Sequence, residues 1–293
     1  MNLFQTQEYL EVFKQHFSEE KDIVDGVWEK VGDPPAGGLI LLGMKPVLGG
    51  EEVTDYAKTD IKDLPQGYKK IQLDYVREDS ETFKSLRGDS SQVERQEVAP
   101  YIDLPKTWEE YLEGLKRKYR KELKRKIKRL EAIGHEVTQE DNLGEFVRLH
   151  RLSDPAKNKF MSEPMARFFQ DVYEAKIPGW QSKLAFLKIE GKYAAGIMSF
   201  VSEDEWWLYN SGYDPQFSFY SAGVILKALS IKKAIEDGKK KYDFLRGSER
   251  YKYELGANSF REICRPVNLT VSLTLWPRPK NCLTRFIRVA KSP

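Results

Sequence analysis

The chain has 293 residues, with 48 Lys and Arg against 45 Asp and Glu, a formal net charge of +3, 40% hydrophobic and 32% charged residues. That length and apolar content support one large domain or two modest ones around a real core. Cys264 and Cys282 are too few and too far apart for a disulfide framework or a zinc knuckle, and His16, His135 and His150 make no metal-ligand spacing, so no metal is expected. There is no Walker loop, no Ser-centred nucleophile elbow and no run of 18 apolar residues. The first residues lack a charged-then-apolar signal, which together with the missing apolar run predicts a cytoplasmic protein without a transmembrane segment.

Thr6 caps a predicted helix running to Phe17, with Tyr9, Leu10, Phe13 and Phe17 on one face. Leu39-Ile40-Leu41-Leu42, after Gly37-Gly38, reads as a buried strand. The Gly- and Asp-rich stretch 48–65 reads as loop, Ile71 to Val76 as a half-buried strand, and the polar residues 85–96 as a turn.

The clearest element begins after Pro105. Thr107-Trp108-Glu109-Glu110 is a capping-box pattern, and Leu112, Leu115, Tyr119, Leu123, Ile127, Leu130 and Ile133 then recur every three or four residues. The spacing predicts one helix over 107–133, stopped by Gly134. Ten basic residues and a single acid, Glu122, lie between Lys116 and Arg129, mostly opposite the apolar stripe. Such a face suits RNA or another anionic partner, and it is equally the solvated outer face of a bracing helix.

Helices are predicted over 143–152 and 164–175, the second with Pro164 in its first turn. A hairpin follows, Leu184 to Ile189 and Tyr193 to Val201 about the Glu190-Gly191-Lys192 turn. Trp206 to Tyr213 is a further strand, in which Trp206, Trp207 and Tyr209 read as packing residues. Ser221 to Asp237 is a helix, 242–245 a short buried strand, and Val267 to Leu275 a final alternating strand.

The most informative stretch is Tyr220-Ser221-Ala222-Gly223-Val224, followed by Tyr242-Asp243-Phe244-Leu245-Arg246-Gly247-Ser248-Glu249-Arg250-Tyr251-Lys252. A loop opens there onto a helix N-terminus, whose unpaired N–H groups and positive dipole suit a phosphate or pyrophosphate. Beside it comes a strand end followed by an acid, a phenol and a lysine, groups that acyl transfer uses. A helix start and a tight turn would also account for the pattern.

The order helix-helix, three antiparallel strands, loop, helix, strand, polar loop, strand resembles the GNAT acyltransferase core. Gly212-Tyr213-Asp214-Pro215, Ser221-Ala222-Gly223, the helix ending at Gly238, Asp243-Phe244-Leu245-Arg246-Gly247 and Glu249-Arg250-Tyr251-Lys252 together resemble the CelD-type acetyltransferases. These belong to a Fem-like branch with two GNAT folds in tandem. The basic run from Thr107 to Ile133 and Asp55-Tyr56 also resemble segments of that family.

The resemblance implies an α/β chain with mixed sheets, tandem GNAT-like folds joined by a long basic helix. Its parts would be an N-terminal lobe (1–106), the basic connecting helix (107–134) and a C-terminal acyltransferase domain (135–293). It implies an N-acyltransferase using acyl-CoA, acetyl-CoA in the first instance. The amine acceptor would be a sugar, a nucleotide-sugar or a polysaccharide or cell-envelope precursor. Ser221, Ala222, Gly223 and Val224 would receive the donor phosphates, Gly223 by close backbone approach and Ser221 as a helix cap.

That loop usually offers Gln or Arg, then Gly, then Gly or Ala; the matching positions here are Ser218, Ser221 and Gly223. Lys252 matches a lysine that stabilises charge developing on the tetrahedral intermediate. Asp243 and Glu249 would orient the acceptor amine or take its proton, and Tyr251 would protonate the leaving thiolate. Asp243 also fits a turn cap, and Tyr251 a core or rim phenol. Two alternatives remain: a Fem-like transferase using aminoacyl-tRNA held on the Lys116–Arg129 face, and a non-catalytic RNA-binding or assembly module.

Overall fold

The computed structural model describes residues 2–32, 37–48, 50–61, 65, 68, 70–86 and 93–266. They fall into two compact units, Val98–Phe260 and Asn2–Glu97 together with the chain from Arg261. Among these residues no helix is long and apolar enough to cross a membrane.

In the smaller unit, α1 (Gln7–Phe17) starts where expected, with the Thr6 side chain accepting from the Tyr9 N–H. Strands β1 (Ile23–Val24), β2 (Trp28–Val31), β3 (Gly38–Leu41) and β4 (Ile71–Gln72) form one sheet in that order. The strand expected over Ile71 to Val76 is broken. Tyr75 turns to φ 57°, its N–H bonded to Gln96 Oε1 at 2.8 Å, and a separate β5 (Val76–Arg77) resumes beyond it, followed by α2 (Glu81–Leu86). Residues 85–96 are not simply a turn either, because β6 (Val93–Asp103) begins within them.

The larger unit starts on β6. The capping box forms as read, with Thr107 Oγ1 accepting from Glu110 N–H and the Glu110 carboxylate accepting from Thr107 N–H. The single helix expected over 107–133 is two, α3 (Trp108–Gly114) and α4 (Arg117–Glu131). Leu115 and Lys116 between them are extended, with ψ of 140° and 135°. Tertiary packing overrides the helical period here. Leu115 is 5% exposed and lies so close to Gly256 that a Cβ there would come within 2.6 Å of Leu115 Cδ2. The basic helix belongs to this unit, with Leu123 and Leu130 in its core.

Next come β7 (His135–Gln139), α5 (Leu143–Ser153), α6 (Pro155–Phe160) and α7 (Glu163–Glu174). Strands β8 (Gln181–Ile189), β9 (Lys192–Val201) and β10 (Glu205–Tyr213) follow as an antiparallel meander. Then α8 (Ala222–Glu236), β11 (Lys241–Asp243), α9 (Arg250–Glu254) and β12 (Ser259–Pro266) complete the described chain. The final strand expected over 267–275 lies outside the described residues.

The sheet of the larger unit has the order β6-β11-β10-β9-β8-β7, antiparallel throughout except where β11 lies parallel to β10. In the smaller unit β5 pairs antiparallel with β12. One face of the large sheet is covered by α8, whose Ile225, Leu226, Ala228, Ile231 and Ala234 share a core with Trp206, Leu208, Ile197 and Tyr242. Trp206 and Trp207 are 2% and 1% exposed, packing residues as read.

Candidate active site at the parting of two parallel strands

Strands β10 and β11 pair over three positions only, Glu205 with Lys241, Trp206 with Tyr242 and Trp207 with Asp243. Beyond them β10 carries a bulge between Leu208 and Asn210, and such an extra residue bends a strand and breaks its ladder. From there β10 runs on to Tyr213 while the other chain turns away, Phe244 N–H bonding to Pro100 O and Gly247 N–H to Val98 O. The strands therefore open a notch at the carboxyl ends of a parallel pair, where open α/β sheets place ligands.

At the mouth of this notch Asp214 opens a 3-10 turn over Pro215–Tyr220, and Ser221 takes left-handed φ 57°, ψ 40° before α8 begins. The Ser221 side chain makes no capping bond, contrary to expectation; its carbonyl instead accepts from both Val224 and Ile225 N–H. The N–H groups of Ala222 and Gly223 find no acceptor among the described residues. The Gly223 donor, on a partly exposed residue with the positive end of the dipole behind it, suits a phosphate or pyrophosphate. Ala222 is fully buried, and Gly223 faces Tyr213, whose Cβ would stand 3.5 Å from an added Cβ.

The residues after β11 form a second wall. Asp243 is fully buried, and its Oδ1 accepts from Leu245 N–H at 2.8 Å, which shapes the turn at Leu245 (φ 60°). Gly247 adopts φ 103°, and a Cβ there would stand 2.4 Å from Glu249 Oε2. Residues 250–254, read as polar loop, are the helix α9.

Lys252 on α9 is 1% exposed, and its ammonium donates to the carbonyls of Leu245 (3.1 Å), Arg246 (2.5 Å) and Gly247 (3.1 Å) while pairing with Glu249 at 2.9 Å. A lysine so engaged staples this wall into one conformation. Tyr251 is half-buried, and burial, with the Glu249 charge second, drives its hydroxyl well above the usual phenol range.

Sequence reading missed two lysines. Lys227, in the second turn of α8, is 9% exposed and sits 4.7 Å over the Tyr251 ring. Burial, then the charges of Lys157 and Lys252, hold it down to about 7 against the opposing pull of Glu249. Lys157, on α6, donates to Ser211 O at 2.5 Å, covering a β10 carbonyl beyond the reach of β11. Burial lowers its pKa as well. The available signal was the sequence Ile225-Leu226-Lys227-Ala228, a cation inside an apolar helix.

Behind the notch, His150 is 1% exposed and its Nε2 lies 2.9 Å from Asn210 Oδ1, which fixes a neutral imidazole with its proton on Nε2. Burial foremost, then Lys157, lowers its pKa to about 3. Its unfolded value is near 6.5, so the chain loses stability as pH falls from about 6.5 toward 3, through protonation favoured in the unfolded state. A proton NMR titration should show this imidazole still neutral at about pH 5; a midpoint near 6.5 would contradict the burial.

Among the described residues no group of three or more His, Cys, Asp or Glu is arranged to hold a metal ion. Residues 117–253 match the acetyltransferase (GNAT) domain family. The fold is similar to the crystal structure of FemX, at 13% identity over 88% of this chain and 95% of that one, with a TM-score of 0.52. It is also similar to a conserved protein of unknown function from Bacteroides thetaiotaomicron VPI-5482, at 10% identity over 90% and 91%, with a TM-score of 0.52. No curated protein matches the sequence.

Proposed function

We propose, from the match of residues 117–253 to the acetyltransferase (GNAT) domain family and the likeness of the fold to FemX, an N-acyltransferase with an acyl-CoA donor and a sugar, nucleotide-sugar or cell-envelope precursor as amine acceptor. The observation that carries the reading is the start of α8, where left-handed Ser221 opens the helix and the N–H of partly exposed Gly223 has no acceptor among the described residues, beside the parting of β10 and β11. A bound acyl-CoA supplies an activated acyl carbonyl. The residues 221–224 hold its phosphates, and the notch directs the acyl end between the parted strands.

Lys252 is a positioning residue in this reading: it fixes the 245–247 wall and places positive charge near the reacting carbonyl. Glu249, more than half exposed and tied to Lys252, is the carboxylate available to orient an incoming amine. Tyr251 holds its proton at neutral pH and can deliver it to the departing thiolate. Asp243 serves the turn, through its bond to Leu245.

Gly223→Asp tests the donor site. There is room for a Cβ, and an acid in the first turn favours the helix, while its charge opposes a pyrophosphate. Calorimetric titration should show acetyl-CoA affinity weakened about tenfold or more with Tm unchanged or raised. Unchanged affinity in a folded variant removes α8 from donor binding.

A second reading, aminoacyl transfer from charged tRNA, has its own observation. Lys116, Arg117, Lys118, Lys121, Lys124, Arg125 and Lys128 are all exposed around α4. If that face holds tRNA, affinity falls steeply and log-linearly with salt. Absence of tRNA retention at low salt dismisses it.

A further inference from the structure

Three lysines converge on the notch from three elements: Lys157 from α6, Lys227 from α8 and Lys252 from α9. Two have their partners. Lys252 is saturated by three carbonyls and Glu249, and Lys157 donates to Ser211 O, with Asp154 and Glu249 also acting on its charge. Lys227 does not. It is nine-tenths buried, the described residues offer its ammonium no hydrogen-bond acceptor, and what favours its charge is the Tyr251 ring face and the Glu249 carboxylate, which is itself tied to Lys252.

Buried cations are normally paired, and one left without an acceptor beside two others marks a place that an anion completes.

We propose that the Lys227 ammonium, flanked by Lys157 and Lys252, is a subsite for a carboxylate or phosphate on the acyl acceptor, which makes the acceptor an anionic amine instead of a neutral amino sugar. The assignment to an acceptor rests on the acyltransferase reading; the anion site itself does not. Glu249 fits the same picture. Its carboxylate, tied to Lys252, also acts on Lys227 and leaves the three lysines in excess of the negative charge it supplies. The depressed proton affinity of Lys227 is what its unpaired state produces, and an anion would reverse it, so binding takes up a proton near neutral pH.

The test uses the full chain with [13Cε]lysine labelling, the Lys227 signal being assigned by its loss in Lys227→Met. Its NMR titration midpoint is followed alone, with inorganic phosphate, with acetate and with coenzyme A. The expected result is a rise of about one pH unit or more with phosphate or acetate, in the absence of coenzyme A and also in its presence. In parallel, coenzyme A release from acetyl-CoA is compared for glycine against glycinamide and for glucosamine 6-phosphate against glucosamine. The acidic member of each pair should lead by about tenfold in kcat/KM, a lead that shrinks toward unity in Lys227→Met.

A midpoint that neither anion moves overturns the subsite. A midpoint moved fully by coenzyme A, with no further response to phosphate, overturns the acceptor assignment and gives the anion to the donor. A response to phosphate without any acetyl-CoA binding upholds the anion site and overturns the acyltransferase reading instead.

Discussion

Gly212→Ala should not accumulate as folded protein. The Cβ it introduces would lie 2.3 Å from the His150 nitrogen, 2.5 Å from His150 Cα and 2.5 Å from the Leu149 carbonyl carbon. All three are backbone atoms of α5, so no side chain can swing aside to relieve the overlap. The helix as a whole would have to lift off β10, taking with it the bond from His150 to Asn210 and the bonds between Ser153 Oγ and Tyr213. Overpacking of a well-packed core costs about 1–3 kcal/mol when side chains can adjust, so a clash confined to backbone should reach or exceed the top of that range. Domains of this size hold only about 5–15 kcal/mol in total. A urea melt of whatever soluble material is recovered should show a midpoint far below that of the parent chain. A variant melting with the parent would mean that α5 does not press on the strand at Gly212. Gly223→Ala is the matched contrast: its Cβ meets only ordinary contacts with Tyr213, and it should fold normally.

Lys227→Met should make the protein more stable at neutral pH. The lysine is displaced from its ordinary 10.5 to about 7, so the folded state binds fewer protons than the unfolded chain between those values. Stability of the parent is therefore depressed below about pH 7 and recovers as pH rises toward 10.5. A displacement of that size corresponds to about 5 kcal/mol at full development. Against it stands the lost contact with the Tyr251 ring at 4.7 Å, worth about 0.5–2 kcal/mol, so the net gain should be about 3 kcal/mol. Methionine keeps the length of the side chain and leaves no large cavity. Denaturant melts at pH 7 and pH 10 measure both the gain and its disappearance in alkali. A variant less stable than the parent at pH 7 would show that the ammonium is well paired in the folded chain. A residue that lowers stability where it stands is the kind of trade frequent at functional sites.

Much of this arrangement was legible beforehand because local chemistry specified it. The capping box at Thr107 and Glu110 and the Glu190-Gly191 hairpin turn stand where the residues put them, and α8 begins after Ser221 as expected, though without the serine cap that suggested it. The break at Leu115 and Lys116 was not legible, since Leu112, Leu115 and Tyr119 keep helical spacing straight across it. What bends the chain is Leu115 packing against Gly256, 141 positions away in sequence. Strand β7 was missed because its side chains are nearly all exposed, so no apolar alternation announces it.

The candidate site divides the same way. The residues 221–224, Asp243, Glu249, Tyr251 and Lys252 were visible as a pattern, and they stand at the start of α8 and along the chain from the end of β11 to α9. Which atoms Lys252 engages, and the presence of Lys157 and Lys227 beside it, depend on three helices converging. No spacing in the sequence encodes that convergence.

The parallel junction of β10 and β11 has a mechanical consequence. Nine residue pairs join β8 to β9, whereas three join β10 to β11, as few as join β11 to β6, so the seam that carries the notch is one of two short transverse links in its sheet. Cooperativity between β6-β11 on one side and the β10-to-β7 meander on the other passes through those three pairs. Short seams of this kind are where local opening of a sheet is easiest. A ligand lodged between the parted strands would act as a splint across the gap, tightening amide exchange on both sides of the seam far beyond the residues it touches.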